Sequence, residues 1–265
     1  MDKKTGSLID SLYRCLQERF EIRHESESFE VEVLFEGTDL ESKVCSRKMQ
    51  KKLREVEAFL TQLKNNNMFS DSYCYVDWCS GKGILGAAIA YLLHAKTYLV
   101  DKDAKNLNGF GEIKERLVLE GIIKYINTDV IENPSLGIRG PFVYVGLHCC
   151  GNAPDYIINY SINEEKPEGI FIVPCCYGKI DQNAFPMDGS FGLRAIPLVK
   201  FREICKIADY FGKDEAKLAY ARKAMYIIDA LRVRVLEERG YSVKIAEFLP
   251  RGVTPKNHMI IGQKI

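Results

Sequence analysis

The sequence predicts an α/β fold in which helices cover both faces of a mostly parallel sheet. From residue 73 onward, short apolar segments alternate with segments of helical periodicity, and this alternation is typical of parallel strands joined by helices. A glycine turn, CSGKG at residues 79–83, joins the first strand to the first helix. The last two apolar segments, residues 241–249 and 257–265, are separated by a loop that contains Pro and Gly. They predict an antiparallel hairpin at one edge of the sheet.

Seven strands follow from this pattern. Five of them are expected to be parallel, and they cover residues 73–78, 96–101, 124–129, 141–148 and 169–176. Helical segments are expected at residues 84–94, 106–120 and 197–239. The predicted arrangement is Rossmann-like, a fold in which ligands bind at the carboxyl ends of the strands.

Residues 1–68 precede this pattern and are predicted to form an N-terminal extension of helix, strand and helix. The first helix is expected within residues 7–20, and the strand over residues 28–36, where Phe and Val alternate with acidic residues. An amphipathic helix is expected over residues 46–65, and a run of three asparagines ends it. The extension is expected to pack on the main domain, residues 69–265.

Composition argues against some classes of protein and leaves others open. The chain has 265 residues, with 37 Lys and Arg against 36 Asp and Glu, so its bulk charge gives no argument for a nucleic-acid partner. No apolar run reaches the roughly 18 residues that a membrane span needs, and the N-terminus lacks the apolar segment of a signal peptide. The nine cysteines are therefore expected to be reduced thiols in the cytoplasm, with the nucleus as the alternative. No C-x-x-C pair is present, so no zinc finger is expected and no residue is assigned to a metal.

The turn between the first strand and the first helix has the features of a ligand-binding loop. Asp77 lies at the end of the strand, and Cys79, Gly81 and Gly83 follow in the turn. Glycine lets the backbone approach a ligand, and the N–H groups at the start of the helix attract an anionic group. Residues 81–86 also match G-x-G-x-x-G, the pattern of proteins that bind NAD. We favour S-adenosylmethionine over NAD because NAD enzymes usually carry an apolar residue where Asp77 stands. A tight turn without a ligand is the third alternative.

Acidic residues also end the second and third predicted strands. Asp101 is the last residue of the second strand and Lys102 follows it. An Asp at this place can accept both ribose hydroxyls of an adenosine. Asp129 and Val130 follow the third strand, where a carboxylate can contact the adenine amino group. The alternative for Asp129 is a helix N-cap or a turn residue, and both interpretations stay open. Together with the glycine turn, these residues are the predicted cofactor site.

Several short motifs resemble, in their order along the chain, those of a known family. They are KKLREV at residues 51–56, LHCCG at 147–151, CCYG at 175–178, ARK at 221–223 and TPKN at 254–257. The set is similar to the methyltransferase domain shared by eukaryotic methyltransferase-like proteins and the acceptor-stem tRNA 2′-O-methyltransferases, and the resemblance covers residues 46–265. It implies a class I methyltransferase fold and S-adenosylmethionine as the cofactor. It also implies RNA as the acceptor, in particular the ribose 2′-hydroxyl of a tRNA.

Three features differ from that family. The family carries Lys where this chain has Leu147, and a His-His pair where it has Tyr177 and Gly178. The tRNA enzymes also carry N-terminal zinc-binding segments, which this sequence does not show. Because the first two differences lie near the predicted reaction centre, they concern the acceptor more than the cofactor. The alternatives are a methyltransferase acting on a protein or a small molecule, a cofactor-binding scaffold without activity, and an NAD-dependent oxidoreductase.

The catalytic candidates are His148, Cys176 and Tyr177, which end the fourth and fifth predicted strands. Imidazole titrates near neutral pH, so His148 is the candidate base or positioning residue for an acceptor. The alternative is a core histidine bonded to a carbonyl group. The Cys-Cys pairs at residues 149–150 and 175–176 could form a metal site. Adjacent cysteines of a strand point in different directions, however, so we expect small residues that pack in the core and no metal.

The helical segment before the last hairpin carries an apolar face and several cations. Apolar residues recur at helical spacing and predict a core face, at Leu218, Ala221, Met225, Ile228, Leu231 and Val235. Five cations fall largely elsewhere, namely Lys217, Arg222, Lys223, Arg232 and Arg234. We expect them on a solvent-exposed surface, and only the resemblance suggests contact with RNA.

Overall fold

The computed structural model describes residues 3–17, 45–103, 105, 121–132, 136–181 and 196–265. The strand predicted over residues 28–36 and the helix predicted over residues 106–120 lie outside these ranges. All seven strands expected from residue 73 onward are present in the described part of the chain.

The strands are β1 (Cys74–Trp78), β2 (Thr97–Asp101), β3 (Ile123–Asn127), β4 (Phe142–Cys150), β5 (Gly169–Cys175), β6 (Tyr241–Glu247) and β7 (His258–Lys264). They form one sheet in the order β3-β2-β1-β4-β5-β7-β6. Strands β1 to β5 are parallel, whereas β7 pairs antiparallel with both β5 and β6. This is the predicted Rossmann-like class I fold, with the C-terminal hairpin at one edge of the sheet.

The helices are α1 (Lys3–Gln17), α2 (Arg47–Asn65), α3 (Ile84–Leu93), α4 (Ala153–Tyr160), α5 (Leu198–Ala208) and α6 (Glu215–Glu237). The helical region predicted over residues 197–239 is thus two helices. The side chain of Asp214 begins the second one, because it accepts a hydrogen bond from the Lys217 amide at 3.1 Å. Of the helices in the described ranges, none has the length and the apolar content to span a bilayer.

Both faces of the sheet are buried under helices. Strand β1 shows the alternation, since Val76 and Trp78 belong to one apolar cluster and Tyr75 to the other. The first cluster includes residues of α1, α4, α5 and α6, and the second includes residues of α2 and α3. The described helices of the predicted extension, α1 and α2, therefore pack on opposite faces of the sheet.

One cation of α6 does not lie at the surface as expected. Arg232 is fully buried and forms a bidentate pair with Asp155, Nε donating to Oδ1 at 2.7 Å and Nη2 to Oδ2 at 2.9 Å. Nη2 also donates to the carbonyl oxygen of Gly151 at 2.9 Å. Helical periodicity does not reveal this burial, because the partner carboxylate is 77 residues away in sequence. The bond to Gly151 links α6 to the residue that follows β4.

Candidate functional site

A cavity of about 630 Å³ lies at the carboxyl ends of β1, β2 and β4. Strand β1 is flanked by β2 on one side and β4 on the other, and such a point of divergence is where open α/β sheets bind ligands. The volume falls within the roughly 300–1,000 Å³ typical of small-molecule sites. Six of the predicted site residues lie in its wall, namely Cys79, Asp101, Lys102, Asp129, Val130 and His148.

The glycine turn after β1 has a backbone conformation that favours glycine. The φ angles of Cys79, Gly81 and Gly83 are 56°, 54° and 72°, in the left-handed region that residues with a Cβ rarely adopt. The Gly83 amide donates to the Ser80 carbonyl oxygen at 2.8 Å, and α3 begins at the next residue. Among the described residues, the cavity wall does not include Gly81 or Gly83. Both shape the turn, and their contact with a cofactor stays a prediction.

Two polar atoms near this turn are buried without a protein partner. Ser80 Oγ and Trp78 Nε1 have no hydrogen-bond partner among the residues that the structure describes, and Trp78 lines the cavity. Buried polar groups are nearly always hydrogen-bonded in native proteins. Of these two, Trp78 Nε1 belongs to a residue of the cavity wall and is the atom that a bound ligand would satisfy.

Asp77 is buried next to the start of α3. Its side chain is 1% exposed, and Oδ2 accepts a hydrogen bond from the Gly86 amide at 3.0 Å. Burial raises the pKa of this carboxyl to about 7. A Cβ at position 86 would come within 3.1 Å of the same oxygen, so glycine permits the close approach of the helix. Asp77 thus bonds to the first turn of α3, and its contact with a cofactor stays a prediction.

Asp101 connects the end of β2 to the glycine turn. Its Oδ2 accepts a hydrogen bond from the Gly81 amide at 2.8 Å, and its Oδ1 accepts one from the Asp103 amide at 2.8 Å. Two backbone amides thus orient the carboxylate at the cavity wall.

Asp129 has the capping role that the sequence left as an alternative. Oδ1 accepts a hydrogen bond from the Ile131 amide at 3.2 Å, at a 3₁₀ turn over Val130–Glu132. Oδ2 accepts one from Lys102 Nζ at 3.3 Å, and this pair is largely exposed to solvent. Because Asp129, Lys102 and Val130 all line the cavity, capping and a cofactor contact are compatible here.

His148 faces the same cavity from β4. It has a φ of 68° and lies where the register of β4 with β5 shifts, between Leu147 and Cys149. Its Nε2 is 2.9 Å from Oε2 of Glu55 on α2. A carboxylate only accepts, so Nε2 carries the hydrogen, and Nδ1 is the acceptor nitrogen of the neutral ring. The side chain is 36% exposed and bonded to a carboxylate, so the structure does not favour a core histidine bonded to a carbonyl.

Glu55 is a functional candidate whose role the sequence did not show. Its side chain is 4% exposed, and its second oxygen, Oε1, lies 3.6 Å from Lys51 Nζ. The contact with His148 joins residues 93 positions apart, so no local spacing indicates it. The only signal is the place of Glu55 in the KKLREV motif.

Tyr177 lies in the core and outside the cavity wall that the described residues form. Its hydroxyl donates to Asp229 Oδ2 at 2.7 Å, and burial raises the pKa of the phenol, which keeps it a donor. The amides of Tyr177 and Gly178 donate to the two oxygens of Asp209, at 3.0 and 2.7 Å. Tyr177 and Gly178 thus hold the turn after β5 against Asp209. This placement does not favour the predicted contact of Tyr177 with an acceptor.

Three of the four cysteines at these strand ends come together. Cys150 Sγ lies 2.7 Å from Cys175 Sγ and 3.4 Å from Cys176 Sγ, whereas Cys149 is buried with its Sγ 3.8 Å from the Trp78 carbonyl oxygen. Core packing, as expected from the sequence, describes Cys149 and Cys175. It is wrong for Cys150, which is exposed and lines the cavity. Cys176, a predicted catalytic residue, is half-buried beside Cys150.

Comparison with known proteins gives one family and a set of distant relatives. The family described as "methyltransferase domain" matches residues 51–183, which is half of the chain. The human "glutathione S-transferase C-terminal domain-containing protein" is 28% identical over 233 residues, covering 85% of this chain and 35% of that protein. The Dictyostelium discoideum "tRNA:m(4)X modification enzyme TRM13 homolog" is 26% identical over 192 residues, covering 63% of this chain and 35% of that protein. The chain thus spans about a third of the length of the curated relatives it matches.

Solved structures share the fold at low sequence identity. The SAH-bound methyltransferase PaMTH1 of Podospora anserina has a TM-score of 0.52 at 9% identity, covering 100% of this chain and 97% of that chain. The methyltransferase domain of bacterial CtHen1-C has a TM-score of 0.50 at 12% identity, covering 81% of this chain and 98% of that chain. These likenesses concern the fold alone. The family match over residues 51–183 shows that the chain belongs to the methyltransferase domain family.

Proposed function

We propose that this chain uses S-adenosylmethionine to methylate RNA, with the ribose 2′-hydroxyl of a tRNA as the preferred acceptor. The observation that carries the proposal is the placement of Asp101 and His148 in one cavity, on the two sides of β1. In this proposal Asp101 binds the adenosine and His148 faces the acceptor.

The residues present fit an adenosine that carries an amino-acid tail. Two backbone amides hold the Asp101 carboxylate at the cavity wall, where ribose hydroxyls would donate to it, and a helix start such as that of α3 attracts an anionic group. Trp78 Nε1 is a buried donor, on a residue of the cavity wall, that a ligand would satisfy. When bound, S-adenosylmethionine supplies an electrophilic methyl group on a sulfonium.

His148 and Glu55 provide a proton acceptor at this site. Because Nε2–H is donated to Glu55, Nδ1 has the lone pair that can take the proton of an acceptor hydroxyl. The imidazolium that forms then lies 2.9 Å from a carboxylate oxygen, which stabilises its charge. Glu55 is therefore a positioning residue, and His148 is the proposed base.

A basic groove beside α2 supports RNA as the acceptor. Four cations of α2 lie in its wall, together with Gln50 and two loop residues, and these cations are Arg47, Lys48, Lys51 and Arg54. Among the described residues, no acidic side chain lines this groove. Such clusters attract the phosphate backbone of nucleic acids. The helix that lines the groove also carries Glu55, whose carboxylate contacts His148. The name of the D. discoideum relative, a tRNA modification enzyme homolog, points the same way.

Two measurements test the proposal. Calorimetric titration should show binding of S-adenosylhomocysteine and none of NADH, because an acidic residue precedes the glycine turn. Protein incubated with tritiated S-adenosylmethionine, total RNA and total protein should place label in nuclease-sensitive material, recovered as 2′-O-methylnucleosides. Tritium recovered in the protein fraction would mean that the acceptor is a protein and not RNA. Cofactor binding without methyl transfer to either fraction would favour a scaffold without activity. Tight NADH binding without a response to the sulfur compounds would overturn the cofactor as well.

A further inference from the structure

Within the residues that the structure describes, three thiols meet at the ends of β4 and β5. Cys150 and Cys175 are register partners in the parallel pair, so their side chains lie on the same side of the sheet. Cys176 has φ and ψ of 51° and 51°. This left-handed conformation breaks the alternation of a strand and allows adjacent cysteines to face one point. The three Sγ atoms all lie within 4.8 Å of one another.

Cys149 shows that this convergence is selective. It is next to Cys150, but the strand alternation holds there, and its Sγ lies near the Trp78 carbonyl oxygen on the other side. The four cysteines therefore divide into three that share one point and one that does not. Cys149 is a matched control for any role of the other three.

The separations are close to those of a metal site. Zn–S bonds of about 2.3 Å in tetrahedral geometry place ligand sulfurs about 3.8 Å apart. The Cys150–Cys176 and Cys150–Cys175 separations are 3.4 and 2.7 Å, so these two pairs must open by about 1 Å or less to reach that distance. Side-chain rotation at Cys150 supplies this movement, because its thiol is exposed at the cavity.

We propose that Cys150, Cys175 and Cys176 bind one soft divalent cation of the Zn²⁺ class, with the fourth coordination position directed toward the cavity. Three S–H bonds break as three metal–sulfur bonds form, and the three protons pass to solvent. The resulting site has a charge of −1, and Lys179, which lines the same cavity, supplies the opposite charge. Three protein ligands and one open position are the ligand count of catalytic zinc sites. The proposal does not depend on the identity of the cofactor or the acceptor.

Metal titration of the reduced, tag-free protein tests this site. Cd²⁺ should bind at one equivalent and give the ultraviolet absorption of cadmium thiolates, and Zn²⁺ should displace it or compete with it. Cys150→Ser and Cys176→Ser should lose the one-equivalent binding, whereas Cys149→Ala should keep it. Circular dichroism and thermal melting check that each variant is folded.

The wild-type protein offers a second readout that requires no variant. Bound Zn²⁺ should protect the accessible members of the cluster from alkylation, and peptide mapping should identify them as Cys150 and Cys176. The exposed thiols of Cys15 and Cys45 should react at the same rate with and without metal. Absence of one-equivalent binding, equal loss in Cys149→Ala, or protection of other cysteines would each overturn the proposal. S-adenosylhomocysteine binding without metal binding would reject this site and leave the proposed function intact.

Discussion

Replacing Glu55 with Gln tests whether the carboxylate at His148 contributes to catalysis. Gln has the same length and an oxygen that accepts the Nε2–H, so the 2.9 Å contact can form without the negative charge. Hydrogen bonds to charged groups contribute about 1.5–3 kcal/mol, against about 0.5–1.5 kcal/mol for neutral pairs. The difference of about 1–1.5 kcal/mol corresponds to a roughly tenfold fall in kcat.

The double variant sharpens this test. His148→Asn removes the proposed base, and such losses commonly lower turnover by about 10²–10⁴-fold. If Glu55 acts only through His148, adding Glu55→Gln to His148→Asn should cause no further fall, because the two substitutions remove one interaction. The dissociation constant of the cofactor should change little in all three variants, since His148 faces the acceptor.

Single-turnover rates with tritiated cofactor and saturating RNA measure the effect. Glu57→Gln is the matched control, since it makes the same chemical change two residues away on α2 and should leave the rate unchanged. Normal turnover per folded molecule in Glu55→Gln, combined with a lower melting temperature, would mean that the pair serves folding and not catalysis. Additive losses in the double variant would refute the assignment of Glu55 as a positioning residue.

Three other perturbations follow from the structure. Asp101→Ala should weaken cofactor binding by roughly 10–150-fold, the equivalent of about 1.5–3 kcal/mol for charged hydrogen bonds, and an unchanged dissociation constant would place the ribose elsewhere. Lys48→Glu combined with Arg54→Glu should raise KM for RNA and lower the salt dependence of binding by about one unit per lost phosphate contact. Lys64→Glu, exposed at the other end of α2, should do neither. Asp77, whose pKa burial raises from 3.8 to about 7, holds its proton more tightly in the folded protein. Its contribution to the free energy of unfolding is complete below about pH 4 and is lost as the pH rises through 7. The wild-type protein should therefore lose on the order of 4 kcal/mol over this range, and Asp77→Asn should not. Unfolding free energies that change with pH in the same way in both proteins would contradict this.

The sheet could be predicted because its central strands are buried on both faces. In β5 the residues 170–173 are all fully buried, and such strands appear in the sequence as continuous apolar runs. The places of Asp101 and Asp129 followed from the same pattern, since the carboxyl ends of parallel strands share one edge. Three of the cofactor residues predicted there, Cys79, Lys102 and Val130, also line the cavity.

Contacts between distant parts of the chain could not be predicted in this way. Periodicity shows which face of a helix is apolar, but it does not show which residue meets that face. Arg232 was therefore expected at the surface, although Asp155 binds it in the core. In the same way, an acidic residue in a basic helix gave no sign that Glu55 contacts His148.

Backbone conformation was the other feature hidden from the sequence. Six described residues with a Cβ have a positive φ. Three of them follow the ends of helical segments, where the left-handed conformation is common, and these are Asn67, His94 and Lys166. The other three are Cys79, His148 and Cys176, at the ends of β1, β4 and β5, which are neighbours in the sheet.

A left-handed residue with a Cβ costs roughly 1–2 kcal/mol, and such conformations persist mainly where the surrounding structure requires them, often at functional sites. Each of these three directs a side chain that ordinary strand geometry would place elsewhere. Cys79 lines the cavity, His148 reaches Glu55, and Cys176 joins the other two thiols. Strain at three adjacent strand ends therefore supports the proposal that this edge of the sheet is the functional one, on grounds that do not depend on the sequence motifs.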